Sequence, residues 1–293
     1  MAKLSQPKII VAMPAHNEEK YIGSLVLNVR QYADEVLVVD DGSTDNTAKI
    51  AQLAGATVIK HQKKKGKGSA IQRILAEAKK KLPDILVFLD ADSQHNPNEI
   101  PYLIGPIRDG YDLVIGSRHE QSARTPRYRR IGQKILLYAT RLLSKDSLTD
   151  SESGFRALSQ KAMSELTLKE NGFAIETEMI ACATDKNLKI IQVPVSNIYT
   201  RDGSTLHPVR HGLGVLIRIL VMISERRPLF FFGMGGGILA ILGFVAGGRV
   251  LWVVSAGGTL PLGTVLASVL FLVIGIFCAF TGIILHVLAK GRG

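Results

Sequence analysis

Residues 85–94, ILVFLDADSQ, join an uninterrupted run of five apolar residues to two alternate aspartates. A short apolar run bounded by polar residues is typical of a strand that is buried in a sheet. Asp90 and Asp92 come directly after the run, where the strand would end. The segment therefore predicts a rigid strand that holds two carboxylates at the edge of a sheet.

The same pattern recurs on both sides of this segment. Apolar runs alternate with helix-like stretches near 18–32, 45–54, 69–81 and 97–108. The runs are 9–13, 36–39, 57–59, 85–89 and 113–115. This order predicts an α/β fold with a mostly parallel, doubly wound sheet of the Rossmann type. Because ligands of such sheets bind beyond the carboxyl ends of the strands, the polar residues after each run are the candidate site.

Asp90, Asp92 and Gln94 form a candidate metal site. Hard oxygen ligands at a strand end favour Mg²⁺ or Mn²⁺, and a cation there would stabilise a diphosphate leaving group. Asp-x-Asp by itself also occurs in ordinary turns and helix caps, so the motif alone leaves both interpretations open.

Two further segments suit a phosphorylated ligand. Asp40 and Asp41 follow the second run, where carboxylates can accept hydrogen bonds from a nucleobase or a ribose hydroxyl. The following Gly42-Ser43 is equally typical of a turn and of a helix cap. Residues 63–68, KKKGKG, predict a flexible cationic loop that can approach a phosphate, although a lysine run is usually a solvated surface.

The end of the chain has a different composition. After Arg227 its only charged residues are Arg249, Lys290 and Arg292. Segments of about 229–253 and 262–288 are each long enough to cross a bilayer, and together they predict a transmembrane hairpin. Basic residues flank its two outer ends, so we expect a multi-pass protein of the cell membrane with both termini and the soluble domain in the cytoplasm.

The preceding residues 207–227 carry apolar side chains at helical spacing. They predict an amphipathic helix in the headgroup layer, or alternatively a helix that packs on the soluble domain. We therefore expect a soluble domain over 1–206, a juxtamembrane helix over 207–227 and two membrane helices within 228–293.

The overall composition agrees with a chain that is part soluble and part membrane-bound. The mean hydropathy is +0.19 and 46% of the residues are hydrophobic, which excludes a disordered chain. The net charge of +11 suits an anionic ligand or an anionic membrane surface. Aromatic residues do not alternate with the basic clusters, so nucleic acid is not an expected partner.

Taken in order, these motifs resemble the family 2 glycosyltransferases of the GT-A fold, and among them the polyprenyl-phosphate hexose synthases of the dolichol-phosphate mannose synthase type. The resemblance covers roughly residues 8–206. It implies that Mg²⁺ or Mn²⁺ is held by Asp90, Asp92 and Gln94. It implies that the donor nucleotide is bound by Pro14, Asn17, Glu18, Asp40, Asp41, Lys67, Asp90 and Ala91.

On the acceptor side, Gly116-Ser117-Arg118 matches a family motif whose arginine is associated with the acceptor phosphate. The resemblance implies an acceptor-phosphate site formed by Arg118, Arg130 and Lys134. It implies catalytic roles for Asp92, Arg118, Arg130 and Arg201. Residues 150–156, DSESGFR, and Glu178 resemble elements that shape the acceptor side, and residues 193–204 resemble a loop that closes over the donor diphosphate.

The reaction implied by the resemblance is the metal-dependent, inverting transfer of one hexose from a nucleotide-diphosphate sugar to a polyprenyl (dolichyl) phosphate at the cytoplasmic membrane face. GDP-mannose, UDP-glucose and UDP-N-acetylhexosamine stay open as donors. The expected partners are the two substrates and the lipid bilayer, and a homo-oligomer also stays open.

The alternative to an enzyme is a catalytically silent membrane adaptor of the same fold. Processive polysaccharide synthases are disfavoured, because they carry Gln-x-x-Arg-Trp and the only tryptophan here, Trp252, lies in a membrane segment. The sequence suggests no buried Asp–His pair as general base. None is required if the nucleophile is a phosphate monoester, which is already anionic near neutral pH.

Overall fold

The computed structural model describes residues 7–118, 137, 140, 141, 150–196 and 208–290, with the backbone alone for Arg118, 208–213 and 289–290. The chain divides into two compact units, Met1–Ile219 and Leu220–Gly293. The first unit therefore includes the beginning of the expected juxtamembrane helix.

The described part of the first unit contains a seven-stranded sheet. Its strands are β1 (Ile9–Ala15), β2 (Glu35–Asp40), β3 (Thr57–Lys60), β4 (Ile85–Phe88), β5 (Leu113–Arg118), β6 (Arg156–Ser159) and β7 (Ile190–Val195). The helices of this unit are α1 (Ile22–Val29), α2 (Thr47–Leu53), α3 (Lys67–Lys81), α4 (Ile100–Arg108), α5 (Gln160–Glu165) and α6 (Ile175–Asp185). The next helix, α7 (Pro208–Arg226), crosses the boundary between the two units. A short 3₁₀ turn, Pro97–Glu99, precedes α4.

The sheet has the order β3-β2-β1-β4-β6-β5-β7, with β6 antiparallel to both of its neighbours and the other pairs parallel. The expected mostly parallel GT-A type sheet is confirmed. The register aligns Ala15 with Asp40 and Ala12 with Phe88, so β1, β2 and β4 end at the same edge.

Helices cover both faces of the sheet. Alternate residues of each strand point to opposite sides, so each strand contributes to two cores. Ile10 and Ala12 of β1 belong to the core formed with α3, α5 and α6. Val11 and Met13 belong to the core formed with α1 and α4. Burial on both faces explains why the strands are continuous apolar runs rather than alternating ones.

Two expectations from the sequence were wrong in detail. Residues 193–195 do not lie in a loop, because they form the end of β7, where Val193 pairs with Gly116 and Val195 with Arg118. Residues 63–68 are not a loop throughout, because α3 begins at Lys67. The second change places the Lys67 side chain on the first turn of a helix.

The second unit consists mainly of α8 (Pro228–Ser255) and α9 (Leu262–Lys290). Both helices are long and apolar enough to cross a membrane, as expected from the sequence. They pack through small residues: Ser268 Oγ donates to the carbonyl of Gly243 at 2.8 Å, and a Cβ at Gly275 would lie 2.7 Å from the carbonyl oxygen of Gly236. Such close backbone approach is typical of membrane helix pairs.

Helix α7 coincides with the expected amphipathic segment. Val215 and Ile219 are buried, whereas Ile217, Leu220 and Val221 are exposed. The helix therefore carries both buried and exposed apolar side chains, and its location in the headgroup layer stays a prediction.

Candidate functional site

The polar segments that follow β1 and β2 contact each other at the carboxyl edge of the sheet. Asn17 donates its backbone N–H to Ser43 Oγ at 2.9 Å, and its own Oδ1 accepts from the backbone N–H of Thr44 at 2.9 Å. Glu18 donates its backbone N–H to Thr47 Oγ1 at 2.8 Å. Asn17 has a φ of 58°, a left-handed conformation that asparagine adopts more readily than most residues.

Asp90, at the end of β4, is paired with a lysine. Lys67 Nζ lies 2.7 Å from Asp90 Oδ1 and 2.7 Å from Oε1 of Glu176. His95 Nε2 lies 3.6 Å from the other oxygen of Asp90. Burial alone would raise the pKa of Asp90, but the charge of Lys67 and the His95 ring outweigh it and hold this pKa well below its ordinary value.

The remaining carboxylates of the site repel one another. Burial and the charge of Asp90 raise the pKa of Asp92, whose Oδ1 accepts from the backbone N–H of Gln94 at 3.0 Å. Burial and the charges of Asp92, Asp45 and Asp90 raise the pKa of Glu18 to about 7. Several carboxylates thus share one partly buried region, and a cation bound there would relieve their repulsion.

The donor set suits a hard divalent cation whose ligand shell is only partly supplied by protein. In the described part of the chain, no three His, Cys, Asp or Glu side chains cluster closely enough to hold a metal. Mg²⁺ is commonly bound by one or two carboxylates together with waters and substrate phosphates. Asp90 and Asp92, with Gln94 beside them, fit such a partial site.

Asp41 has a role that the sequence did not predict. Its buried carboxylate accepts from His61 Nδ1 at 2.8 Å and from the backbone N–H groups of Lys65 at 2.9 Å and Gly66 at 2.7 Å. The sequence did not indicate this buried Asp–His pair, and nothing in its contacts assigns it the role of a general base. This pair orients the backbone that leads into α3.

A second clamp holds the beginning of α3 from the other side. Gly68 donates its backbone N–H to the carbonyl of Asn171 at 2.9 Å, and a Cβ at Gly68 would overlap the carbonyl of Glu170. The carboxylate of Glu178 in turn accepts from the backbone N–H groups of Lys169 and Glu170 at 2.9–3.1 Å. Glu178 therefore positions the segment that fixes Lys67.

The other predicted donor residues lie at the same edge. The Asp40 side chain is fully buried, and its Oδ1 accepts from the backbone N–H of Ser43 at 2.9 Å. Its Oδ2 has no hydrogen-bond partner among the described residues, although Lys60 Nζ lies 3.7 Å away. Pro14 is half-buried and Ala91 is buried.

The segment before β6 packs directly against Asp90. A Cβ at Gly154 would lie 2.6 Å from Asp90 Cγ, which is too close for any side chain. The buried guanidinium of Arg156 donates to the carbonyls of Ser151, Ser153 and Glu176 at 2.7–2.9 Å. One buried cation thus joins this segment to the beginning of α6.

Glu176 is the site residue that sequence reasoning missed. Its side chain is only 5% exposed, and its Oε2 has no hydrogen-bond partner among the described residues. Its Oε1 lies 2.7 Å from Lys67 Nζ and forms an ion pair with it. The available signal was one of two acidic residues in the first turn of α6, which a single sequence does not distinguish from a favourable charge at a helix N-terminus.

A family model described as glycosyl transferase family 2 matches residues 10–167, more than half of the chain. The chain belongs to this family. It is thus a glycosyltransferase, and the Asp90–Asp92 edge of the sheet lies within the matched region.

Named relatives and a solved structure agree with this assignment. The glycosyltransferase is 34% identical to a UDP-N-acetylglucosamine–dolichyl-phosphate N-acetylglucosaminyltransferase of Methanococcus voltae, over 71% of this chain and 91% of the relative. It is 33% identical to a dolichol-phosphate mannosyltransferase of Pyrococcus furiosus, over 81% and 71%. Glucosyl-3-phosphoglycerate synthase of Mycobacterium tuberculosis, crystallised with Mn²⁺, UDP and glucosyl-3-phosphoglycerate, superposes with a TM-score of 0.57 at 26% identity, over 74% and 79%.

The predicted acceptor side of the glycosyltransferase is only partly described. The backbone of Arg118 lies at the end of β5, beside β7. Arg130, Lys134 and Arg201 lie outside the described residues. Their assignments to the acceptor phosphate and to catalysis stay predictions.

Proposed function

We propose that this glycosyltransferase transfers a single hexose from a nucleotide-diphosphate sugar to a polyprenyl (dolichyl) phosphate, with inversion at the anomeric carbon and with Mg²⁺ or Mn²⁺ as its cation. The observation that carries the proposal is the group of carboxylates around Asp90 and Asp92, whose mutual repulsion and incomplete ligand set suit a cation shared with phosphate oxygens. The names of the relatives from M. voltae and P. furiosus support a dolichyl-phosphate acceptor.

The residues of the chain have distinct parts in this proposal. Asp90, Asp92 and Gln94 would hold the cation, which when bound neutralises the charge that develops on the leaving diphosphate. Lys67 would add a positive charge beside it. The unpartnered oxygen of Asp40 could accept a hydrogen bond from the nucleoside, because a buried acceptor gains most from a partner.

On the acceptor side, Arg118, Arg130 and Lys134 would bind the lipid phosphate, and Arg201 would act at the donor diphosphate. An anionic phosphate needs no general base. The Asp41–His61 pair is therefore not required for proton transfer. Asp41 instead accepts hydrogen bonds from the backbone just before Lys67 and so helps to position that residue.

The proposal places α8 and α9 across the membrane, since both have the length and composition of a span. The basic residues Arg226, Arg227, Lys290 and Arg292 flank their outer ends, which favours a cytoplasmic location for both termini and for the catalytic unit. The donor would then be drawn from the cytoplasm, and the lipid phosphate would reach the site from the inner leaflet.

A donor screen tests the function. The full-length protein in detergent is incubated with a short polyprenyl phosphate and Mn²⁺ or Mg²⁺, and with GDP-mannose, UDP-glucose or UDP-N-acetylglucosamine in separate reactions. We expect transfer from one donor, abolished by EDTA and restored by the metal. Asp92→Asn should lower kcat by roughly 10³-fold, because a bound metal supplies several kcal/mol.

Asp109→Asn is the matched control, since Asp109 is an exposed aspartate at the end of α4 and should leave transfer unchanged. Full activity of Asp92→Asn in EDTA would remove the metal from the proposal. Nucleotide-sugar binding without transfer from any donor would favour the silent adaptor.

A further inference from the structure

The Lys67 ammonium contacts Asp90, one of the proposed metal ligands. Its Nζ is 2.7 Å from Asp90 Oδ1 and 2.7 Å from Glu176 Oε1, and the Phe173 ring centroid lies 5.9 Å away. The Lys67 side chain is only 17% exposed. One protein cation thus neutralises the carboxylate that a metal needs.

We propose that Lys67 competes with the divalent cation for Asp90, so that the metal binds well only after a nucleoside diphosphate has drawn Lys67 away. The inference rests on the proposed function, because it takes the diphosphate as the ligand that accepts Lys67. It makes metal binding conditional on donor binding.

The placement of Lys67 is built into the fold. Asp41 accepts from the backbone N–H groups of Lys65 and Gly66, and Gly68 donates to Asn171 on the other side. Both clamps fix the backbone of Lys67, whereas its four-carbon side chain keeps its rotatable bonds. The ammonium can therefore change partners without any change in the helix that carries it.

The small number of metal ligands that the protein supplies also favours metal binding that depends on the nucleotide. The described residues offer no group of three metal-binding side chains, so phosphate oxygens together with waters would complete the shell of a cation bound to Asp90 and Asp92. A diphosphate would then do two things at once. It would supply the missing oxygens, and it would offer Lys67 a new anionic partner in place of Asp90.

Removal of the competition should strengthen metal binding in the nucleotide-free protein. Full-length protein in detergent is titrated with Mn²⁺, and free Mn²⁺ is followed by electron paramagnetic resonance, without nucleotide and with UDP or GDP. The Mn²⁺–nucleotide complex in solution is measured separately and included in the fit. For the wild type, we expect UDP or GDP to tighten Mn²⁺ binding about 10-fold or more, within the usual range of coupling between sites.

In Lys67→Met, nucleotide-free Mn²⁺ affinity should rise about 10-fold, and the tightening caused by nucleotide should shrink by a similar factor. Linkage requires that Mn²⁺ tighten nucleotide binding by the same factor as nucleotide tightens Mn²⁺, which provides a second readout of the coupling.

The double variant Lys67→Met/Glu176→Gln separates competition from net charge. It removes one positive and one negative charge, so Glu176 is not left as a buried carboxylate without its Lys67 partner. Its nucleotide-free Mn²⁺ affinity should rise as in the single variant. Lys49→Met removes an exposed lysine of α2 and should leave Mn²⁺ affinity unchanged within about 2-fold, because an exposed charge is screened.

Equal nucleotide-free Mn²⁺ affinity in the wild type, the single variant and the double variant would overturn the inference and leave the proposed function standing. A wild-type protein that binds no Mn²⁺, with or without either nucleotide, would overturn the metal-dependent function and this inference together.

Discussion

Gly154 is the residue whose replacement should test the geometry of the site most directly. A Cβ at this position would lie 2.6 Å from Asp90 Cγ. Ordinary carbon contacts are about 3.5–4.0 Å, so the carboxylate in Gly154→Ala must move by roughly 1 Å. A displacement of that size at a reacting centre costs on the order of 10²-fold in rate, which corresponds to about 2.7 kcal/mol.

Gly154→Ala should lower the free energy of unfolding but leave the protein folded, so the loss of activity can be measured on folded enzyme. Overpacking by one methyl group destabilises a core by about 1–3 kcal/mol, which lowers the melting temperature without preventing folding. Transfer kinetics, Mn²⁺ affinity in the presence of nucleotide and the melting temperature are measured on the same preparation. We expect kcat/KM to fall about 10²-fold and Mn²⁺ affinity to weaken, since both depend on the position of Asp90.

Gly105→Ala is the control, because a Cβ on Gly105 in α4 would meet nothing within 4 Å. It should leave kinetics unchanged and stabilise the protein by about 0.4–1 kcal/mol. If folded Gly154→Ala shows wild-type kinetics and wild-type metal affinity, neither transfer nor metal binding depends on the exact position of the Asp90 carboxylate, and the reasoning is refuted.

Three further results are expected. Arg118→Lys should raise the KM for polyprenyl phosphate about 10-fold and lower kcat, because lysine keeps the charge but lacks the planar guanidinium that binds a phosphate through two hydrogen bonds. Nucleotide affinity should stay within about 2-fold. Unchanged acceptor kinetics would contradict this prediction. Burial opposes ionisation of Glu35, but hydrogen bonds from Lys81 and Thr57 outweigh it and hold the Glu35 pKa below its ordinary value. The ionised Glu35 carboxylate therefore stabilises the fold at pH values above its ordinary pKa, and this stabilisation is lost as the pH falls through the lowered pKa. Melting curves should show Glu35→Gln less stable than wild type by about 0.5–1 kcal/mol at pH 7 and equally stable in strong acid. A loss of stability that is independent of pH would argue against the ion pair. Gly275→Ala should cost the α8–α9 hairpin about 1–3 kcal/mol in detergent melts, whereas Gly237→Ala, whose Cβ would meet nothing within 4 Å, should not. Equal effects would argue against this helix packing.

The parts of the fold that sequence alone predicted are those with local signals. The strands β1, β2, β4 and β5 appear as apolar runs because both of their faces are covered, whereas β3 is a partly exposed edge strand. Helices α8 and α9 appear as long apolar segments. β6 gave no such signal. Its four residues include the buried Arg156, and its antiparallel direction results from pairing with both β4 and β5.

The candidate site was predictable where its residues follow a strand. Asp90, Asp92, Asp40 and Asp41 were all found in this way, because the carboxyl ends of parallel strands meet at one edge. Glu176 was not, since it lies on a helix that the sequence connects to this edge by no local pattern.

The sequence by itself therefore determined which side chains end the parallel strands, and with them the chemistry of the site, because hydrophobic periodicity and strand length are local properties. Only the tertiary structure decided how those charges are shared. Asp41 holds a loop through His61, while Lys67 bridges Asp90 and Glu176. Partners so distant in sequence meet only through packing of the sheet and its helices, and whether a buried carboxylate is paired or left for a ligand depends on those contacts.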